Sequence, residues 1–350
     1  MTIIYVLFGI LMFGVLIAVH ELGHFSAAKL LGVKVNEFSI GMGPAIIQKQ
    51  RGETVYSLRC IPIGGFCAME GEDEETGDPR AFTSQAPWKR AIILVAGSFM
   101  NFLLGFLIVF LLFINAAAFR APVIVDFAEG CPYYREDGFQ KNDRIESIDG
   151  HRVYTYSDVS DFLSAGGEKY DIVVKRDGEK VELKDFHLVP VEYKDGKKYG
   201  FYFGYDDATF GNKLYYSWGT TADFSRWVWQ GLKMLVEGNV KMDDLSGPVG
   251  IVDLMAETGE NAASFTDGLL DILYLAAFIA VNLAIMNMLP IPAMDGGRVF
   301  FLIVTWIIES VTKKKLNPKY EGYIHAAGMI LLLALMAIIM FNDILKIAGK

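Results

Sequence analysis

The residues best suited to chemistry stand in one short stretch, His20-Glu21-Leu22-Gly23-His24. On an α-helix two residues four apart differ by about 40° around the axis and about 6 Å along it, so both imidazoles can reach a single ion. Glu21 stands beside them, placed to take a proton from an attacking water. Zinc suits two imidazoles and a carboxylate, and leaves a fourth position for a water whose pKa falls to about 7. The stretch closes an uncharged run of 18 residues, Thr2 to Val19. An ionisable side chain at the centre of a membrane helix costs roughly 2.5–3.5 kcal/mol on insertion scales, so these three need partners or a purpose. No serine or cysteine constellation competes with them. Cys60, Cys67 and Cys131 form no CxxC spacing and read as small apolar fillers. His151, His187 and His325 have no partner at ligand spacing and read as ordinary surface or interface histidines.

The third ligand must come from elsewhere in the chain. Asp295 is the first candidate, because Pro290 and Pro292 break the apolar run before it and Gly296 and Gly297 follow. Non-helical backbone at membrane depth is tolerated only where it faces protein or a wet cavity. Asp271 and Glu309 are weaker candidates, near the ends of apolar runs. Asp295 could also cap a helix starting near Gly296.

These residues need a membrane scaffold to hold them. Of 350 residues, 53% are hydrophobic and 21% charged, too oily for a soluble protein. Uncharged runs span Thr2–Val19, Ala91–Phe119 (29 residues), Ile272–Met294 (23) and Ala326–Asn342 (17), long enough to cross or nearly cross a bilayer. The first lacks a basic leader and a small-x-small cleavage site, and reads as a retained span. Basic residues precede the second run at Lys89 and Arg90 and the fourth at Lys313, Lys314, Lys315 and Lys319, which places both flanks in the cytoplasm and the N-terminus outside. Residues of about 120 to 268 then form an outer segment. It holds 17 Lys/Arg and 27 Asp/Glu, enough to account for the whole net charge of −9. With no basic block to track phosphates, nucleic acid is excluded as a partner.

Between the first two runs, Thr54–Cys60 and Ile61–Met69 read as short strands with a Gly-rich break at Gly64-Gly65-Phe66. Their edge could pair with an extended peptide. The acidic run Glu70–Asp78 reads as a solvated loop. From Ala121 to Asp207 the pattern is β-rich, and Asp137–Gly150 looks like a PDZ carboxylate loop and its following strand, with Asn142 where glycine is usual. Tyr215–Val236 is aromatic and amphipathic, suited to a bilayer surface. Asn101, Asn282 and Asn287 offer polar groups inside apolar runs.

His20-Glu21-Leu22-Gly23-His24 at the end of a first span, with Asn287-Met288-Leu289-Pro290-Ile291-Pro292-Ala293-Met294-Asp295-Gly296-Gly297 late in the chain, resembles the site-2 protease family of zinc intramembrane metalloproteases. The nearest likeness is to its bacterial regulators of sigma-E type, in a form with one PDZ domain. The resemblance covers nearly the whole chain; Met294 replaces the usual leucine, a volume-conserving swap. It implies zinc held by His20, His24 and Asp295, with Glu21 as catalytic base. It implies substrate handling by Asn101 of a Gly97-x-x-x-Asn101 motif, by Asn287, and by a membrane-associated β-hairpin containing Gly64, Gly65 and Phe66. Leu245–Ile251 resembles a further family segment leading to the third span.

The expected architecture is a multi-pass α-helical membrane protein of about four spans, one of them broken. Residues 1–120 carry the first two spans and a cytoplasmic-side hairpin, 121–207 an inserted extracytoplasmic α/β PDZ domain, 208–268 a membrane-surface linker, and 269–350 the last spans. The expected setting is the bacterial cytoplasmic (inner) membrane, with the active site toward the cytoplasm. The expected partners are the lipid bilayer, a C-terminal peptide at the PDZ domain, and single-span substrates such as anti-sigma factors or signal-peptide remnants. A non-catalytic PDZ-bearing scaffold and a metal transporter are the rival readings; the scaffold expects Glu21→Gln to change nothing, the transporter expects zinc flux.

Overall fold

The structure, a computed structural model, describes residues 2–72, 76–164, 166–194, 196–239, 246–313 and 318–348. Asp73 to Glu75, Leu245, Lys314 and Lys315 lie outside them. Two compact units are present: Met1–Ile108 with Phe224–Lys350, and Val109–Asp223.

The first unit begins with α1 (Thr2–Leu30), apolar on every face until His20, as a helix surrounded by lipid and protein must be. β1 (Val35–Arg51) and β2 (Thr54–Met69) follow as a long antiparallel hairpin. Gly41 and Gly43 take positive φ and bend β1, so its first half faces two parts of β2. Ile40 is opposite Gly65 on one side and Leu58 on the other. Arg59 holds the bend, bonding the Glu37 carboxylate, the Ser39 hydroxyl and the Gly43 carbonyl at 2.7–2.9 Å. α2 (Pro87–Phe113) opens on proline, whose fixed φ suits a first turn.

The second unit is built on a sheet of order β10-β3-β4-β6-β7, with β5 (His151–Arg152) paired to β4. The strands are β3 (Ala118–Phe127), β4 (Arg144–Ile148), β6 (Lys169–Arg176), β7 (Glu179–His187) and β10 (Phe201–Asp207). β8 (Val191–Tyr193) and β9 (Gly196–Lys198) make a separate pair. Alternation along β6 buries Tyr170, Ile172 and Val174 beside Ile124, Phe139, Ile145 and Leu188, with α3 (Tyr156–Ser164) contributing Val159 and Leu163. Asp143 is fully buried and receives two 2.8 Å bonds from Arg176.

This unit is wider than residues 121–207. The uncharged run through Phe119 does not stay helical: α2 stops at Phe113, and Phe119 lies in β3 with its ring stacked on Tyr216. Tyr216 belongs to α4 (Phe210–Val236), whose Asp223 accepts from the Thr155 hydroxyl at 3.1 Å. The unit boundaries therefore fall inside α2 and α4.

The chain returns to the first unit with α5 (Pro248–Asn261), α6 (Phe265–Asn287), α7 (Asp295–Thr312) and α8 (Pro318–Ala348). Ser264 caps α6 by accepting from the Asp267 N–H. α5 and α6 pack on α1 around Tyr5, Met255 and Ile272. The buried Asp343 of α8 accepts the N–H groups of Gly247 and Gly250, both at 2.9 Å, and so caps α5 from another helix. α1, α2, α6 and α8 are the helices long and apolar enough to cross a membrane among the described residues.

Candidate metal centre

α1 presents His20 and His24 on the side that meets α2. Contact is close because both helices carry glycine there: a methyl group added at Gly23 would lie 2.3 Å from the Ala96 carbonyl oxygen. At Gly97 it would lie 2.4 Å from Nε2 of His24 and 2.8 Å from Cε1 of His20. Nδ1 of His24 donates to the Ile93 carbonyl of α2 at 2.8 Å. With its proton there, the Nε2 lone pair of His24 is left facing inward.

Asp295 arrives from the break between α6 and α7. Met288 to Met294 leave helical geometry, and Ala293 takes φ 76°, which a non-glycine residue adopts only under constraint. A neighbouring helix holds it: the Ala293 N–H donates to Nδ1 of His325 on α8 at 3.1 Å. Gly296 and Gly297 lie so near the Met288 and Ile291 carbonyls that an added methyl would come within 2.2 Å of each. Asp295 is the first residue of α7, directly after Met294 at the cap position, and its Oδ2 takes no hydrogen bond from its own helix.

It points instead at the histidines. Oδ2 of Asp295 lies 3.1 Å from Nε2 of His20 and 3.3 Å from Nε2 of His24, and the two nitrogens are 3.1 Å apart. Ligands at zinc–nitrogen and zinc–oxygen distances of about 2.0–2.1 Å on a tetrahedron stand about 3.3–3.4 Å apart, so the triangle has the size zinc requires. Oδ2 of Asp295 is also buried without a conventional hydrogen-bond donor, a condition an ion would relieve. This is the metal-competent group of three among the described residues. Asp271 lies instead with Phe224, Trp227 and Phe278 around another cavity, and Glu309 stands near the far end of α7.

His20 and Asp295 border a cleft of about 280 Å³ lined also by Ile17, Glu21, Asn101, Leu283 and Asn287. Gly65 of β2 lies against Glu21, since a methyl there would touch its Cγ at 3.4 Å. The strand around Gly64, Gly65 and Phe66 pairs on one side with Ile40 and Ser39, leaving an edge unpaired among the described strands. Asn101, 1% exposed, reaches Nδ1 of His20 at 3.4 Å.

A model described as Peptidase family M50 matches residues 8–335. The chain belongs to this family, the site-2 proteases. It is thus a zinc metalloendopeptidase and a multi-pass membrane protein. An M50 relative from Clostridium acetobutylicum, provisionally named a zinc metalloprotease, is 34% identical over 98% of both chains. One of the same provisional name from Clostridium perfringens is 33% identical over 97% of this chain and 98% of its own. The regulator of sigma-W protease RasP of Bacillus subtilis is 28% identical over 97% of each.

Sequence reasoning missed three contacts around these side chains. His325 is an interface histidine that holds the break before Asp295. Glu72 pairs with Arg298 of α7, and Glu70 with Lys34 just before β1 at 2.9 Å, so part of the acidic run read as a solvated loop is paired, and Glu72 ties the end of the hairpin to α7. None of these pairs has a spacing signal. The stretch read as a carboxylate loop is also spent internally. The N–H groups of Gly138, Phe139, Asn142 and Asp143 bond the carbonyls of Arg135, Tyr133, Ile124 and Gln140, and that of Gln140 bonds the Asp143 carboxylate. Asn142 does take the positive φ, 69°, expected of its place.

Proposed function

We propose that this M50 chain hydrolyses peptide bonds within transmembrane segments of single-span proteins, with zinc held by His20, His24 and Asp295 and Glu21 as the catalytic base. The observation that carries this reading is the convergence of Nε2 of His20, Nε2 of His24 and Oδ2 of Asp295, 3.1–3.3 Å apart, beside a cleft that His20, Asp295 and Glu21 line. Bound zinc supplies a Lewis acid for the scissile carbonyl and acidifies water. Glu21 takes the proton of the attacking water and passes it to the leaving amine. Gly65, with no side chain of its own, leaves the space beside Glu21 open: an added methyl would stand 3.4 Å from its Cγ.

A helix delivered from lipid has every amide bonded, so it must be unwound and its freed groups caught. The unpaired edge at Gly64, Gly65 and Phe66 offers strand pairing, and Asn287 offers a donor and an acceptor in the cleft. The hairpin exposes Met42, Ile46, Ile47, Leu58 and Ile61, an apolar surface fit for lipid. Basic flanks at Lys89, Arg90 and Lys313 favour the cytoplasmic side for the cleft, and hence an extracytoplasmic second unit in a bacterial cytoplasmic membrane.

That second unit reads as a PDZ domain. Its peptide groove lies between the edge strand β10 and α3, a space of about 590 Å³ lined by Arg120, Tyr156, Leu163, Lys198 and Phe203. The RasP name ties that relative to sigma-W regulation, and anti-sigma factors trimmed of their outer parts, or remnant signal peptides, are the substrates we assign here.

The deciding experiment is cleavage of a model transmembrane peptide by the purified full chain in detergent. Glu21→Gln retains zinc and loses about 10²–10⁴ in rate, and a chelator abolishes cleavage. Cleavage that persists in the variant ends the assignment; zinc flux without cleavage would favour a transporter.

A further inference from the structure

We propose that Asn101 is a positioning residue for His20: its amide oxygen accepts the Nδ1 proton of that imidazole and so aims the Nε2 lone pair at the same point as Asp295 and His24. The inference rests on the zinc reading above and assigns Asn101 a task other than gripping substrate.

The argument starts from protons. Nε2 of His20 lies 3.1 Å from both Nε2 of His24 and Oδ2 of Asp295. A nitrogen that presents its lone pair there must leave the ring proton on Nδ1. A buried N–H needs an acceptor, and the amide of Asn101 stands 3.4 Å from that Nδ1. As oriented, the amide turns its NH₂ to the ring, donor against donor, while its oxygen is buried with no partner. Amide nitrogen and oxygen are interchangeable by a half-turn of the terminal torsion and are assigned from the bonding network. That half-turn gives the Nδ1 proton an acceptor and the orphaned oxygen a donor.

His24 shows the same device made from backbone, its Nδ1 donating to the Ile93 carbonyl at 2.8 Å. Ile93, Gly97 and Asn101 are spaced four apart on α2, so one stripe of one helix holds one imidazole, gives room to both, and holds the other. Partners of this kind typically change metal affinity by about 10–100-fold when removed.

The test measures the zinc dissociation constant of the purified full chain by competition with a chromophoric chelator, alongside cleavage of the model peptide. Asn101→Ala weakens zinc about 10–100-fold, and Asn101→Asp, which keeps an acceptor oxygen, restores affinity to within about threefold of wild type. Both variants are first checked for wild-type elution and circular dichroism. Wild-type affinity in Asn101→Ala, with cleavage lost or kept, overturns the proposal and returns Asn101 to substrate handling. Equal weakening in Asn101→Ala and Asn101→Asp overturns it too, since an acceptor would then not be what matters. A wild-type chain with no zinc affinity fails the parent reading in its own arm.

Discussion

Gly97→Ala changes one hydrogen to a methyl group at the point where α2 meets both histidines. The new carbon would lie 2.4 Å from Nε2 of His24 and 2.8 Å from Cε1 of His20, against an ordinary contact of about 3.5 Å, so about 1 Å must be found. The rings cannot supply it cheaply: His24 is tied to the Ile93 carbonyl and both nitrogens converge on Asp295. Nor can the helices, because Gly23 already touches the Ala96 carbonyl. Metal ligation tolerates about 0.2 Å and a catalytic constellation about 0.5 Å. Zinc affinity should therefore fall at least about 100-fold, ~2.8 kcal/mol. Gly105→Ala is the comparison. Its methyl meets Val281 at 2.8 Å and the Ala277 carbonyl at 3.0 Å on α6, an overpacking that costs about 1–3 kcal/mol of stability away from the ligands. The assay is zinc competition paired with thermal unfolding. Gly97→Ala that binds zinc like wild type, or a loss shared equally by both variants, would refute the reasoning that Gly97 sets the space for the imidazoles.

Arg176→Met strands the fully buried Asp143 carboxylate, which takes both its charged bonds from that guanidinium; a broken buried pair costs about 3–5 kcal/mol, and scanning fluorimetry should show an earlier transition, whereas an unmoved one counts against the pair. Asp343→Ala leaves the Gly247 and Gly250 N–H groups without their acceptor. The cost is about 1–3 kcal/mol, seen as faster proteolysis before α5, and Asp343→Asn should recover part of it. Burial pushes the Cys67 thiol up to about 12, so at pH 8 only about one molecule in 10⁴ carries its reactive thiolate. Iodoacetamide should then label the exposed Cys60 and spare Cys67, with mass spectrometry of the two peptides as the check and equal labelling as the failure.

What could be read from the amino-acid sequence was whatever depends on one element at a time. His20 and His24 share a helix face by the pitch of the helix alone, and the apolar runs mark α1, α2, α6 and α8 by length. Asp295 was suggested by its surroundings, two prolines and two glycines in an apolar run, and not by any spacing to the histidines some 270 residues earlier. Run length failed where a strand and a helix are equally oily: nothing in Ala91–Phe119 announces that helix ends at Phe113 and that Phe119 faces a sheet.

The contacts that set the site in place were silent for a different reason. His325 to Ala293, Arg298 to Glu72 and Asp343 to Gly247 each join elements far apart in the chain, and a single histidine, aspartate or arginine carries no period. They share a physical logic nonetheless. Each satisfies a backbone N–H or a charge at a place where a helix starts or stops, which is where a membrane scaffold has polar groups that lipid cannot serve. A broken span therefore needs partners on neighbouring helices in proportion to the amides it frees. Polar residues scattered singly through α7 and α8 are then best sought beside the break at Met288–Met294 and the start of α5, ahead of any search for a second catalytic group.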